Sequence, residues 1–180
     1  MESKCKIKIT RARIILAVII FASGIILFNG CKISYSFTGA SISPEVETVS
    51  IQYFHNRADL VQPGLSQYIT DALIDKCKSQ TNLSVVNGIG DVNFEGEITG
   101  YNTRPSTVAA DSRAASNRFT ITVRVKFTNS VDPEYNYEQS FSRYSDYDSN
   151  LDLSDVEDEL TAEIVEFIIE DIFNKAFVNW

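Results

Sequence analysis

Scarcity excludes several chemistries. The 180-residue chain has one His, His55, along with one Met, one Trp and three Cys. A single His leaves little for a zinc site or for acid–base catalysis, and three Cys cannot staple a small fold. Basic residues are also few: 16 Lys and Arg face 24 Asp and Glu, a net charge of −8. A general nucleic-acid binder needs surplus cations to displace counterions from phosphates, so nucleic acid is not a partner. No stretch matches a phosphate loop, a nucleophile elbow, a zinc spacing or a dinucleotide fingerprint. Asp146, Asp148, Asp152 and Asp155 gather acidic charge. They lack the glycine and the twelfth-position glutamate of a calcium loop, and read as part of a strand-to-helix connection. The chain is therefore read as no enzyme, with no catalytic residue, metal ligand or cofactor. Repeats and low-complexity runs are absent as well.

What is present begins at the N-terminus. Lys4, Lys6, Lys8, Arg11 and Arg13 precede an apolar run from Ile14 to Phe28, closed by Asn29, Gly30 and Cys31. A basic segment, a greasy segment and a small residue before a cleavage point make an export signal. The run is 15 residues long, whereas a bilayer span wants about 20. Cys directly after Gly at the end of such a run resembles a bacterial lipobox, although Phe28 and Asn29 stand where Leu and a small residue are usual. Residues 1–30 are read as a lipoprotein signal peptide, and residues 31–45 as lipidated Cys31 and its tether. Residues 46–180 are then the folded domain.

Cleavage would leave eleven basic and twenty-three acidic residues, a net of −12. Such a domain is not drawn to an anionic membrane by its average field, so acyl chains must hold it there. Cys77 is then the lone thiol of the domain, so no internal disulfide forms, and a small buried hydrophobe is the plain reading.

Along the domain, a strand is predicted from Val46 to Phe54, then a loop from His55 to Gly64. His55 reads as a solvated residue of that loop. Leu65, Tyr68, Ile69, Ala72, Leu73 and Cys77 recur at steps of three and four, the mark of one apolar helix face. Pro63 suits the first turn of that helix. A short strand, Leu83 to Val86, follows. Val92, Phe94, Gly96 and Ile98 alternate with polar residues, and a polar loop is expected from Thr103 to Ser116. Phe119, Ile121, Val123, Val125 and Phe127 then alternate with Thr120, Thr122, Arg124, Lys126 and Thr128. Period two this regular means a sheet with one buried and one polar face. Asp132-Pro133-Glu134 reads as a turn, and Tyr135, Tyr137 and Phe141 as a last strand.

Ser154 and Glu157 form a capping-box pattern for a C-terminal helix. Glu159, Glu163, Glu166 and Glu170 share one face of it, opposite Leu160, Ile164, Val165, Ile168, Ile169, Ile172 and Ala176. Two one-sided helices need a common apolar surface, and the one-sided sheet supplies it. The expected fold is an α+β two-layer sandwich: a mostly antiparallel sheet with two helices packed on one face.

Binding is the remaining function class. Six of the eleven basic residues that cleavage would leave lie between Arg104 and Arg143. Arg104, Arg113 and Arg118 surround the expected loop. Arg124 and Lys126 lie on the polar sheet face, with Arg143 as a neighbour. Guanidinium forks suit phosphate and carboxylate groups. The alternative is ordinary cross-strand pairing with Glu95 and Glu97.

In its order of pieces the chain resembles the lipopolysaccharide-assembly lipoprotein family LptE, in its Bacteroidetes-type form. The likeness runs from Cys31 through Tyr35-Ser36-Phe37-Thr38-Gly39 to Thr48-Val49-Ser50-Ile51. It continues with Phe94 to Tyr101, Ile121-Thr122-Val123, Phe141 to Ser149, and the helix Glu157 to Ala176. The resemblance implies a sheet of about four strands carrying two helices. It also implies a lipid-anchored position on the periplasmic side of the outer membrane, and an LptD-type β-barrel translocon as the partner. The protein would plug that barrel, assist its assembly and help lipopolysaccharide reach the cell surface. Basic residues in this family are implicated in holding lipopolysaccharide phosphates. Arg104, Arg113, Arg118, Arg124, Lys126 and Arg143 are candidates from their own chemistry rather than from a family motif. The rival reading is a lipoprotein accessory of another envelope machine, for secretion or barrel assembly, since fold alone does not separate such roles.

Overall fold

The computed structural model describes residues 42–60, 62–108 and 114–178, with the side chains of 107, 108, 114 and 115 excepted. The signal peptide, Cys31 and Arg113 lie outside the described residues. The elements are β1 (Thr48–Ile51), β2 (His55–Asn56), α1 (Leu65–Gln80), β3 (Ser84–Val85), β4 (Val92–Val108), β5 (Ala114–Asn129), a 3-10 turn (Pro133–Tyr135), β6 (Tyr137–Asp148) and α2 (Leu153–Phe177). The sheet runs β3-β1-β4-β5-β6, with β2 also pairing β4.

The long strands β4, β5 and β6 are antiparallel, and β1, β2 and β3 add parallel pairings at one side. The sheet is therefore mixed, with the expected antiparallel part dominant. The parallel pair β1–β3 follows from α1, because parallel neighbours need a long crossover and a helix provides one.

Alternation in β5 holds as read: Phe119, Ile121, Val123, Val125 and Phe127 are all fully buried. Val92, Phe94 and Ile98 of β4 join them. The stripe on α2 is equally faithful, with Leu160, Ile164, Val165, Ile168, Ile169, Ile172 and Ala176 buried. The four stripe glutamates are solvent-facing. In α1, Leu65, Ile69, Leu73 and Cys77 are buried, whereas Tyr68 lies outside the core. The helices pack against each other and against one face of the sheet. No described helix is long and apolar enough to cross a membrane.

Four local expectations are corrected. The segment Val46–Phe54 is not one strand, because residues 52–54 leave the ladder and β2 resumes it. There Phe54 turns inward over Gly96, where any Cβ would overlap the Phe54 ring. The expected loop from Thr103 to Ser116 is mostly strand, since β4 runs to Val108 and β5 begins at Ala114. Helix α2 starts at Leu153 behind Asp152, so Ser154 sits inside it and no side-chain cap bond forms. Glu157 instead accepts a hydrogen bond from the Tyr101 hydroxyl of β4. Finally, Pro63 stands before the helix, which opens on Gly64 at φ +87°, a left-handed backbone that favours glycine.

Cys77 is wholly buried in α1, and burial pushes its thiol up to about 12. A thiol that scarcely ionises is a poor nucleophile, so it acts as core.

The point where the chain enters the sheet is clamped. Asp91 Oδ2 accepts bonds from Glu47 N (3.0 Å), Thr48 N (2.9 Å) and Thr48 Oγ1 (2.7 Å), and Asp91 N donates to Thr48 Oγ1 at 2.9 Å. The Thr48 hydroxyl first, and then the two amides, hold the Asp91 carboxyl below its ordinary 3.8. A depressed carboxylate contributes stability that is present above the ordinary value and lost as pH falls through the lowered one. Asp91→Asn keeps an acceptor oxygen but cannot titrate. Acid unfolding followed by circular dichroism should therefore fall off less steeply below about pH 4 in this variant. An unchanged acid limb would show that the clamp does not couple to folding.

Candidate functional site

Register places the charged residues. Directly paired residues share a face, so the face opposite the helices carries rows across β4, β5 and β6. One row is Glu95, Lys126 and Glu138. The next is Glu97, Arg124 and Ser140. Farther along come Asn102, Thr120 and Tyr144, and then Arg104, Arg118 and Asp146. This face is polar throughout, because alternate residues of β5 were spent on the core.

Four of the six candidate cations share this face: Arg104, Arg118, Arg124 and Lys126. Most already have partners. Arg124 donates to Glu97 and lies 3.9 Å from Glu138, and Lys126 Nζ is 3.5 Å from Glu95. These are the cross-strand pairs with Glu95 and Glu97 named as the alternative reading. Arg118 holds both oxygens of Asp146 at 2.8 Å and lies 3.7 Å over the Tyr144 ring. The fork to Asp146 raises the Arg118 pKa, and the same bond lowers that of Asp146. Asp146 is thus a strand residue engaged by arginine. Asp148 accepts two bonds from Asn150. Among the described residues, no three His, Cys, Asp or Glu side chains come together as a metal site.

Arg143 is placed elsewhere. It pairs with Ile121, a core-facing residue, and so projects from the helix side of β6. There it forks onto Asp171 of α2 at 2.6 and 2.7 Å, and this partner raises its pKa. The expectation that it neighbours Arg124 and Lys126 on the polar face is corrected. Parity with Phe141, two residues earlier and buried, was the available signal.

Arg104 is different. It is exposed, directly opposite Arg118 in the ladder, and has no ion-pair partner among the described residues. Among the described residues, the β4–β5 hairpin thus sets Arg104, without an ion-pair partner there, beside Arg118, which has one. That arrangement can take one external anion at Arg104, while Arg118 stays with Asp146.

Two grooves flank these features. On the polar face, a groove of about 580 Å³ is lined by Gln52, Tyr53, His55, Arg57, Glu95 and Lys126, among others. Nothing in the sequence signalled it, since it arises where residues 52–54 leave the sheet. Between the helices a second groove of about 690 Å³ is bounded by Tyr68, Lys76, Val165 and Ile169. There Lys76 bonds Glu170 at 2.8 Å, and the apolar floor is already packed.

Comparison with known proteins gives the fold and the family. No curated protein matches the sequence. Among solved structures, a hypothetical protein of Chlamydia trachomatis superposes with a TM-score of 0.51 at 8% identity, covering 73% of this chain and 98% of that one. Uncharacterized lipoprotein B of Nitrosomonas europaea superposes with a TM-score of 0.50 at 16% identity, covering 79% and 87%. Identities this low speak to the fold alone. Residues 46–176 match the lipopolysaccharide-assembly family LptE, the segment that contains every element of the sheet and all but the last residue of α2. The chain therefore belongs to the LptE lipopolysaccharide-assembly family.

Proposed function

We propose that this protein is an outer-membrane lipoprotein, held by acyl chains on Cys31 at the periplasmic side, that seats in an LptD-type β-barrel. It assists the assembly of that barrel and the passage of lipopolysaccharide to the cell surface. The observation that carries this reading is the open sheet face. Its charges lie in rows and are mostly paired with one another, while both helices pack on the other face. Barrel interiors are polar. A surface whose charges already have partners enters such a lumen with less loss of hydration than one bearing isolated ions. Arg104 at the hairpin is left to meet a lipopolysaccharide phosphate. Arg118, Arg124, Lys126 and Arg143 shape the surface through their carboxylate partners, and Arg113 completes the basic set in sequence.

Purification of the full-length protein in mild detergent, followed by mass spectrometry, tests the reading. A large outer-membrane barrel is expected to co-purify, and recovery of no barrel would count against the proposal. Depletion separates the rival role: loss of surface lipopolysaccharide supports this reading, while general loss of barrel proteins supports a barrel-assembly accessory.

A further inference from the structure

Strand β6 is the long edge of the sheet. β5 covers one of its sides, and no described strand pairs with the other. Residues of an antiparallel ladder alternate, so about half of those in β6 aim N–H and C=O outward. Edges of this kind are ordinarily blunted by lysine, proline or a bulge. β6 has neither lysine nor proline, and its register against β5 runs from Tyr137 to Asp148 without a shift. Its one arginine, Arg143, is already forked onto Asp171.

Exposed aromatic rings flank this edge at one level. On the open face, Tyr144 is 55% exposed. On the helix face, Ser145 bonds Glu163 of α2 at 2.8 Å, and Arg143 holds Asp171. Glu163, Phe167 and Asp171 step by four, so Phe167 stands between those two contacts, beside residues 143–145 of the edge. It is 52% exposed. Open hydrogen bonds with an unburied ring on each side fit another strand and helix arranged in the same way.

A second copy of this chain supplies them. Two β6 strands can pair antiparallel about a two-fold axis through Tyr144, upright on the sheet. On the open face, Tyr144 then meets Tyr144 of the second copy. Ser142 and Ser140 meet Asp146 and Asp148, hydroxyl against carboxylate. On the helix face, Phe141 meets Tyr147. Arg143 meets Ser145, whose bonded Glu163 brings a further carboxylate toward the guanidinium. Axes through Ser142 or Arg143 would instead oppose Glu138 to Asp146 or Asp148, like charge to like charge. An axis through Phe141 leaves Tyr144 and Phe167 off the centre. Helix α2 lies over β5 and β6. With strands about 4.8 Å apart, the two copies of α2 run about 10 Å apart, an ordinary helix-packing distance, with Phe167 against Phe167.

We infer that the β6 edge is a self-association surface, through which two copies of this chain form a symmetric dimer with one continuous sheet. Both open faces stay uncovered, so the role proposed above does not depend on this pairing.

Analytical ultracentrifugation of the full-length protein in detergent tests it. A surface made of one strand edge and one helix face is expected to associate at micromolar concentration and to dissociate below it. Phe167→Glu should weaken association about tenfold or more. Its melting temperature at sub-micromolar concentration should match wild type, because the ring lies outside the monomer core. Cysteine cross-linking checks the register, with the parent protein as control, since Cys77 is buried. Two Tyr144→Cys thiols face each other on the axis and should join under mild oxidation. Two Ser140→Cys thiols stand about 27 Å apart and should not. Sedimentation as a monomer up to hundreds of micromolar overturns the dimer. A dimer that Phe167→Glu leaves intact, or equal cross-linking at the two positions, overturns the assignment to this edge.

Discussion

Truncating Phe127 to Ala is expected to lower stability by about 3–5 kcal/mol, the cost of removing a large buried aromatic and leaving a cavity. Phe127 is fully buried in β5. Its ring lies 4.9 Å from Phe94 on β4, 5.4 Å from Tyr137 on β6 and 6.0 Å from Phe177 on α2. It therefore joins three strands to the end of the C-terminal helix. Neighbours on three other elements cannot all collapse into the gap, so the higher part of the range applies. Tyr137, stacked on it and raised in pKa by burial, would lose its apolar cover. Phe167→Ala is the control, because that ring is 52% exposed on α2 and should change stability by about 0.5 kcal/mol or less. Urea unfolding with matched slopes measures both. A loss below about 1 kcal/mol for Phe127→Ala would show that the sheet and α2 are not joined through this cluster.

The second large effect concerns location. Cys31→Ser is expected to leave a precursor that keeps residues 1–30, carries no palmitate label and is lost from the outer-membrane fraction. The physical reason is additive: each buried methylene of an acyl chain contributes about 0.8 kcal/mol, and stable anchoring needs more than one chain. Nothing among the described residues replaces that attachment. Its net charge of −12 after cleavage repels anionic headgroups, and no described helix can span a bilayer. Metabolic labelling and fractionation read the result. A wild-type protein that takes no label would overturn the anchor.

Much of the fold was legible because burial writes a period into sequence. The alternation of β5 and the stripe of α2 each had one face in the core and one in water, so both could be read residue by residue. The far half of the β4–β5 hairpin was not legible for the same reason reversed. Thr103, Arg104 and Pro105 are exposed, so no apolar alternation marks them as strand. Their conformation comes from pairing with Phe119, Arg118 and Asn117 across the ladder. The break at residues 52–54 was hidden too, because the apolar Phe54 continues a strand-like pattern while its ring in fact fills the space over Gly96.

The candidate site divides along the same line. Residue type alone marked Arg118, Arg124, Lys126 and Arg143 as cations in an acidic domain. Their partners were partly visible: Glu95 and Glu97 are no nearer in the chain than Asp146 and Asp171, but they stand in an alternating stretch already legible as a strand. Asp146 and Asp171 lie 28 residues from the arginines they hold, and only the packing of β6 on β5 and of α2 on β6 brings them near.

By itself the amino-acid sequence determined the class of the domain, its two one-sided helices, its acidic balance and the lipobox-like Cys31, because each is a property of composition or local period. Tertiary structure decided that Arg104 has no ion-pair partner among the described residues, which face Arg143 occupies and where a groove opens. Those depend on strand register and on the fit of Phe54 over Gly96, and neither quantity is carried by any short stretch of chain.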